Sequence, residues 1–247
     1  EKLRQINLQL EQRVAERTAQ LSVANRELEA FSYTVSHDLK APLRGIDGYS
    51  QLLVEEYSSR LDDDGREFVQ RIRQGVRQMG ELINDLLEYS RMERRDMAVE
   101  PVALQPLVEK ILDGYHADIQ KQGAQVQLAL EAMTLSLDRE GMSVVLRNLV
   151  GNALKFSRES HPSAIEIGAR TDAGRRILWV RDNGVGFDMQ YHDRMFGIFQ
   201  RLHRAEDYPG TGVGLALVAK AVQRMGGRVW AESTLGVGAT FYLEFPE

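Results

Sequence analysis

The sequence predicts a multidomain fold in which an N-terminal coiled coil and a helical hairpin precede an α/β sandwich domain. Apolar residues recur every seven positions as far as Val35, which is the spacing of a two-stranded coiled coil. A second amphipathic helical pattern follows a polar turn. Beyond Pro101, short strand patterns alternate with helical ones, and such alternation is typical of an α/β layer fold.

The first segment, residues 1–23, is assigned to a coiled-coil signalling helix. Its repeat is interrupted once, because Val14 follows Leu10 by four residues instead of seven. Such a stutter locally changes the supercoil. The pattern fits a plain stalk, and it also fits a stalk that transmits a signal by switching between two packings. The seam, which continues into the next segment, consists of Leu3, Leu10, Val14, Leu21, Ala24, Leu28, Phe31 and Val35.

Residues 24–95 are assigned to a helical hairpin, with helices over 24–58 and 66–93 on either side of a polar turn at 61–65. One hairpin alone would expose too much apolar surface to be stable. Two hairpins that close a four-helix bundle about a twofold axis would bury it, so the sequence predicts a homodimer. The apolar face of the second helix carries Phe68, Ile72, Met79, Leu82, Ile83, Leu86 and Tyr89.

Residues 96–247 are assigned to the α/β domain. Its helices are predicted over residues 138–157 and 212–225, and Trp179 and Trp230 are expected in the core as strand residues. The predicted strands cover residues 125–130, 134–137, 164–171, 176–181, 228–233 and 239–245.

Composition excludes several classes of function. The 31 basic and 36 acidic residues give a net charge of −5, which does not favour nucleic acid as a partner. The absence of cysteine excludes disulfides and thiolate catalysis. No apolar run approaches the ~18 residues of a membrane span, and no signal peptide is present, so a cytoplasmic location is expected. The sequence begins within a helical pattern and without Met, which suggests a fragment of a longer protein.

A histidine beside a carboxylate, His37 and Asp38, interrupts the first helical pattern. A neutral imidazole, with an unperturbed pKa of ~6.5, is a good nucleophile near neutral pH. Asp38 would accept a hydrogen bond from its other ring nitrogen if both side chains lean outward, since neighbours on a helix point about 100° apart. Pro42, one turn later, is expected to kink the helix. Taken alone, such a histidine is more often an ordinary surface residue.

Three polar motifs in the α/β half suggest a nucleotide pocket. The spacing of four and three places Asn148, Asn152 and Lys155 on one helix face, where oxygens and an ammonium suit Mg²⁺ and phosphate. Alone, this face also fits the solvated side of an ordinary amphipathic helix. Asp182 ends a strand, and its carboxylate is able to accept a hydrogen bond from a purine amine. The same residues also fit a plain strand-ending turn.

Glycines accompany these polar residues. Gly184 and Gly186 follow Asp182 and allow the backbone to approach a ligand closely. Gly210, Gly212 and Gly214 open a predicted helix, whose N-terminus favours phosphate. The spacing of this last motif is neither that of a Rossmann fingerprint nor that of a Walker loop.

Residues 36–43 resemble the phosphoacceptor box of bacterial sensor histidine kinases. The three pocket motifs, in this order, resemble the ATP-binding fold shared by gyrase, the ninety-kilodalton heat-shock chaperone, histidine kinases and mismatch-repair ATPases. Residues 195–202 resemble the phenylalanine box that precedes a mobile ATP lid, here over 200–210. The resemblance covers residues 24–245 and leans toward the phytochrome-like subclass.

The resemblance implies a role for each pocket residue, with ATP and Mg²⁺ as cofactors of a catalytic domain over 96–247. Asn152 is then the principal Mg²⁺ ligand and Asn148 assists it. Lys155 and Arg201 approach phosphate, and Asp182 holds adenine.

The resemblance also implies that His37 is phosphorylated with help from Asp38. The phosphoryl group then passes to an aspartate of a response-regulator receiver domain, under the control of an upstream sensor domain. Ala41 stands where many relatives carry the Thr or Asn that aligns water, which argues against strong phosphatase activity. A nucleotide-binding scaffold and a clamp ATPase are the alternatives, and neither needs the His37–Asp38 pair. Whether a subunit phosphorylates itself or its partner stays open.

Overall fold

The computed structural model describes residues 2–204 and 207–246, apart from some side chains within the first two helices. The chain divides into two compact units, Glu1–Arg91 and Met92–Glu247. Among the described residues, no helix combines the length and apolar character needed to cross a bilayer.

The first unit is built from two long helices. Helix α1 spans Lys2–Tyr57 and continues through Pro42, and a short 3₁₀ turn, Ser58–Arg60, follows it. Helix α2 spans Asp63–Arg94, so it begins inside the predicted turn at 61–65. Its start is capped by Asp62, whose Oδ1 accepts a hydrogen bond of 2.8 Å from the backbone N–H of Gly65.

The predicted coiled-coil seam is described at two of its positions. Leu10 and Val14 are exposed, by 60% and 58% respectively. The other seam side chains lie outside the described residues, so the coiled coil stays a prediction.

The second unit is an α/β sandwich. A five-stranded sheet has the order β2-β4-β5-β7-β6, in which β2 and β4 run parallel and the other neighbours are antiparallel. A separate antiparallel pair joins β1 to β3. The strands are β1 Val99–Ala103, β2 Gln125–Leu130, β3 Thr134–Asp138, β4 Ala164–Asp172, β5 Arg175–Asp182, β6 Arg228–Thr234 and β7 Gly238–Pro246. The helices are α3 Leu104–Gly114, α4 His116–Gln122, α5 Arg139–Ser157 and α6 Gly214–Arg224, with a 3₁₀ turn at Met189–Tyr191.

The core of this unit lies between one face of the large sheet and helices α5 and α6. Fully buried side chains come from all three elements, among them Leu146 and Leu149 of α5, Leu217 of α6 and Leu243 of β7. Their burial fixes the helices that carry the polar motifs against the sheet.

The expectation that Trp179 and Trp230 belong to the core is wrong, because both are partly exposed. Side chains alternate along a strand, and Leu178, Val180 and Asp182 are the β5 residues that are buried. The Trp179 ring lies over Gly168 of the neighbouring strand, where a Cβ atom would come within 2.0 Å of it. Its Nε1 donates to Glu166 at 2.7 Å, so a polar partner satisfies the indole on this outer face.

Candidate nucleotide-binding site

Helix α5 carries the first polar motif. Asn148 is oriented by its Nδ2, which donates to the carbonyl of Val144 at 2.9 Å and leaves the amide oxygen available. That oxygen approaches the glycine-rich motif, since a Cβ atom on Gly214 would lie 2.5 Å from it. Asn152 lies one turn further along the helix and is partly buried. The sequence therefore brings an amide oxygen of α5 against the first residue of α6.

Asp182 is the last residue of β5 and is only 6% exposed. Its Oδ1 accepts a hydrogen bond of 2.9 Å from the backbone N–H of Gly184. Burial raises the pKa of this carboxyl to about 6, and hydrogen bonds from the backbone of Gly184 and Ala239 oppose that rise. A buried carboxylate of this kind is a strong acceptor for a ligand amine.

Gly184 and Gly186 are required by the protein's own packing. The N–H of Val185 donates to the carbonyl of Phe156 at 3.2 Å, which ties this loop to the end of α5. A Cβ atom on Gly184 would lie 2.4 Å from that carbonyl oxygen. Gly186 has a φ of 59°, and a Cβ there would lie 2.2 Å from the carbonyl oxygen of Thr234. The two glycines thus allow the Asp182 loop to contact α5 and the β6–β7 turn.

The glycine-rich motif lies partly before its helix. Helix α6 begins at Gly214, so Gly210 and Gly212 belong to the preceding loop and not to the helix predicted from residue 212. Gly212 has a φ of 75°, and a Cβ atom there would lie 3.0 Å from the carbonyl oxygen of Gln200. The loop therefore packs against the end of the segment that resembles a phenylalanine box.

Lys155 lies beside this loop. Burial and, to a smaller extent, the positive charge of Arg201 lower the pKa of its ammonium to about 8. Its Nζ stands 4.3 Å from the centroid of the Phe156 ring, and a Cβ on Gly210 would approach that nitrogen to 3.2 Å. Two cations held this close together suit a polyphosphate, which would neutralise both.

The predicted lid over residues 200–210 is held by Arg201, and its residues 205 and 206 lie outside the described residues. The guanidinium donates to the carbonyls of Gly210 at 2.7 Å and Tyr208 at 2.8 Å. In this structure Arg201 therefore binds the lid backbone. To bind phosphate, it would have to release these two carbonyls.

An aromatic cluster fixes the lid to α5. Tyr208 is 7% exposed, and its ring centroid lies 5.2 Å from that of Phe156 and 5.3 Å from that of His203. Arg158 covers the Tyr208 ring at 4.7 Å and donates to the carbonyl of Asp207. Sequence reasoning missed Phe156, Arg158 and Tyr208 as part of the site. The available signal was a large aromatic residue within an otherwise polar loop.

The structure brings together most of the residues predicted for the pocket. Asn148, Lys155, Asp182 and the glycine motifs all lie in the second unit and are linked by the contacts above. The predicted phosphoacceptor pair lies in the first unit, on α1. Asp38 is exposed, whereas the His37 side chain lies outside the described residues.

The donor set fits a hard divalent cation held jointly with a ligand. Within residues 2–204 and 207–246, no cluster of three or more His, Cys, Asp or Glu side chains is arranged to hold a metal. Amide oxygens are acceptable ligands for Mg²⁺, which keeps several waters and is usually completed by substrate phosphates. The amide oxygen of Asn148 beside Gly214 is a ligand of this kind.

Two family models match the chain. The "His Kinase A (phospho-acceptor) domain" matches residues 27–95. The "Histidine kinase-, DNA gyrase B-, and HSP90-like ATPase" matches residues 137–247. The chain belongs to the sensor histidine kinases. The predicted family and the predicted fold class of this kinase are both confirmed.

Curated relatives of this histidine kinase include phytochromes. It is 38% identical over 243 residues to cyanobacterial phytochrome A of Nostoc sp., with 98% of the chain and 32% of the relative covered. It is 36% identical over 245 residues to the phytochrome-like protein Cph1 of Synechocystis sp., with 98% of the chain and 32% of the relative covered. These matches support the phytochrome-like subclass. The chain spans about a third of the length of these relatives.

Solved structures of histidine kinases share the fold. Full-length ShkA in complex with AMPPNP superposes with a TM-score of 0.66 at 27% identity, covering 87% of this chain and 45% of ShkA. The Acinetobacter baumannii histidine kinase AdeS gives a TM-score of 0.61 at 21% identity, covering 85% of this chain and 97% of AdeS.

The site predicts a bell-shaped pH dependence of nucleotide affinity. Below a pH of about 6, Asp182 gains a proton and becomes a weaker hydrogen-bond acceptor for a ligand amine. Above a pH of about 8, Lys155 loses the charge that attracts phosphate. Isothermal titration with an ATP analogue should therefore show the tightest binding between these values. Lys155→Arg should remove the decline at high pH, and adenosine, which lacks phosphate, should retain only the decline at low pH.

Proposed function

We propose that this chain is the kinase core of a two-component system, which phosphorylates His37 from ATP. The observation that carries the proposal is one chain with a phosphoacceptor domain over 27–95 and a separate ATPase domain over 137–247. ATP with Mg²⁺ supplies the transferable phosphoryl group when it is bound.

Each pocket residue has a defined task in this proposal. The Asp182 carboxylate accepts from the adenine amine and fixes the base. The oxygens of Asn152 and Asn148 hold Mg²⁺, with Asn152 as the principal ligand. Lys155 neutralises phosphate charge, and Arg201 joins it after leaving the lid carbonyls. The backbone of Gly210, Gly212 and Gly214 borders the phosphates at the start of α6.

His37 is the nucleophile. One imidazole nitrogen attacks the γ-phosphorus in line, so that a P–N bond forms as the P–O bond to ADP breaks. Asp38 accepts a hydrogen bond from the other ring nitrogen, fixes the tautomer and takes up the proton released there. The ATP-binding domain presents the γ-phosphate to His37.

The remaining partners of the kinase are also proposals. Phosphohistidine donates to an aspartate of a response-regulator receiver domain, and an upstream sensor domain acts through the coiled coil over 1–23. The kinase works in the cytoplasm, without nucleic acid as a partner. Ala41 is exposed and offers no polar side-chain atom, which argues against strong phosphatase activity.

One experiment separates the kinase from its rivals. The purified chain is incubated with γ-labelled ATP and Mg²⁺ beside His37→Gln, and bound label, ATP hydrolysis and binding of a fluorescent ATP analogue are recorded. A kinase loses its label in the variant but keeps analogue binding. A clamp ATPase would hydrolyse ATP equally in both proteins, and a scaffold would bind the analogue without label or hydrolysis in either.

We propose that the kinase is a homodimer, because the first unit exposes two rows of apolar residues at seven-residue spacing. On α2, Ile72, Met79 and Leu86 are 47%, 46% and 44% exposed. On α1 the row is Leu39, Ile46 and Leu53, with exposures of 47%, 44% and 42%. A second hairpin would bury both rows in a four-helix bundle.

The double substitution Ile72→Lys and Met79→Lys is expected to convert the dimer to a monomer. It places two charges in the proposed interface, where desolvation without partners is costly. Sedimentation velocity measures the change in mass. Gln70→Lys with Gln74→Lys is the matched control on exposed positions of the same helix. If the double variant of Ile72 and Met79 kept the sedimentation coefficient of wild type, the proposed interface would be contradicted.

A further inference from the structure

The end of α2 is attached to the ATP-binding unit. Helix α2 ends at Arg94, β1 begins at Val99, and the compact second unit begins at Met92. Met92, the first residue of that unit, is 6% exposed. This short segment is the covalent route from the phosphoacceptor hairpin to the nucleotide site.

Arg224, the last residue of α6, holds this segment by its backbone. Its Nη1 donates to the carbonyl of Met92 and its Nη2 donates to the carbonyl of Arg95. Carbonyls in the last turn of a helix lack partners within the helix, and a cation placed there also favours the negative end of the helix dipole. One guanidinium thereby caps α2 from another element.

A second set of contacts holds the same segment from α5. Arg95 pairs with the carboxylates of Asp138 and Glu140. The Asp138 side chain is 4% exposed and also caps α5, because its Oδ2 accepts a hydrogen bond of 3.0 Å from Gly141. We call Arg224, Arg95, Asp138 and Glu140 the linker clamp. Its anchors are Arg224 on α6, Glu140 on α5 and Asp138, which ends β3 and caps α5.

The position of His37 along the hairpin sets the reach that phosphoryl transfer requires. Asp47 of α1 and Arg73 of α2 form an ion pair of 3.3 Å, so they lie opposite one another in the hairpin. Because the two helices run in opposite directions, other opposite residues also have numbers that sum to 120. His37 is therefore level with Ile83, nine residues before Met92 in the sequence. Nine helical residues span about 14 Å along the axis.

We propose that the linker clamp restrains the hinge of the kinase and opens for phosphoryl transfer. While it is closed, the last turn of α2 moves with the ATP-binding unit as one body. Once it is open, residues 92–98 become a flexible tether with an end-to-end distance of about 15 Å, which matches the distance back to the level of His37.

The proposal rests on the proposed kinase function, and Arg224→Gln tests it with two independent readouts. Hydrogen exchange of the amides in residues 92–98 is expected to accelerate at least tenfold. The rate of autophosphorylation at saturating ATP is expected to rise at least threefold, while the Kd for ATP stays within twofold. Arg224→Lys, which keeps one donor group on the carbonyls, should fall between wild type and Arg224→Gln in both measurements.

Controls make each outcome decisive. Arg170→Gln removes an arginine from an exposed ion pair elsewhere on the same unit and should change neither readout. Unchanged exchange in Arg224→Gln would overturn the clamp, and faster exchange with an unchanged or lower rate would overturn its restraining role. Arg95→Gln opens the clamp from its other side and replaces Arg224→Gln if that variant misfolds. A wild-type chain that takes no label would refute the kinase proposal alone, since exchange still tests the clamp.

Discussion

Asp182→Asn is expected to weaken ATP binding about a hundredfold while leaving the ATP-binding unit folded. Asparagine has the same shape and still offers one oxygen to the N–H of Gly184. Its amide group, however, places a donor where the carboxylate accepted, so the adenine amine faces an unpaired N–H in a buried site. Such a mismatch costs about 2–3 kcal/mol.

Stability measurements distinguish this effect from unfolding. The pKa of Asp182 is raised from 3.8 to about 6 in the folded protein, so the folded state retains a proton that the unfolded state has already lost. The carboxyl therefore lowers stability as pH rises from about 4 to 6. Asp182→Asn removes that loss and should be at least as stable as wild type at pH 7. Asp172→Asn, at an exposed position, is the matched control. ATP affinity of Asp182→Asn within threefold of wild type would contradict the assigned role.

Gly184→Ala is expected to destabilise the ATP-binding unit by about 3 kcal/mol, at the upper end of the usual cost of overpacking. The added Cβ would lie 2.4 Å from the Phe156 carbonyl oxygen and 2.6 Å from its carbon. Both are backbone atoms of α5, which cannot turn aside as a flexible side chain does. The Asp182 loop must therefore separate from α5, and nucleotide binding should fail together with stability.

Denaturant unfolding measures this effect against a glycine with open space around it. No atom lies within 4 Å of a Cβ built on Gly114, which ends α3. Gly114→Ala should therefore be neutral or slightly stabilising, by up to about 1 kcal/mol. Equal stability of the two alanine variants would show that the contact between the loop and α5 is not required.

The polar motifs were predictable because short-range spacing determines their placement. Asn148, Asn152 and Lys155 share a helix face by helical geometry alone. Asp182 ends a strand whose alternating pattern is visible in the sequence. All four residues lie in one unit with the glycine motifs as a direct result of strand and helix order.

Other elements were not predictable because prolines obscure their patterns. Strand β1 contains Pro101 and lies in a two-stranded pair, where a missing N–H is tolerated. Helix α3 contains Pro106 in its first turn, where the helix needs no N–H donor. In neither segment was the hydrophobic periodicity strong enough to predict a strand or a helix in spite of the proline.

Long-range contacts were also beyond sequence reasoning. Arg224 meets the carbonyls of Met92 and Arg95 across more than 120 residues of sequence. Tyr208 of the lid segment packs on Phe156 of α5. In neither case does local spacing specify the partner, because the tertiary packing of α5 and α6 brings the groups together. The outward position of Trp179 has the same origin, since only the fold shows which sheet face the helices cover.

Identification of the phosphorylated residue tests the central claim most directly. After incubation with ATP and Mg²⁺, the chain is digested at neutral or alkaline pH and its peptides are sequenced by mass spectrometry that preserves P–N bonds. We expect one major phosphopeptide modified at His37, with a phosphate that is labile in acid and stable in alkali. Phosphate on serine, threonine or another histidine, with His37 unmodified, would contradict it.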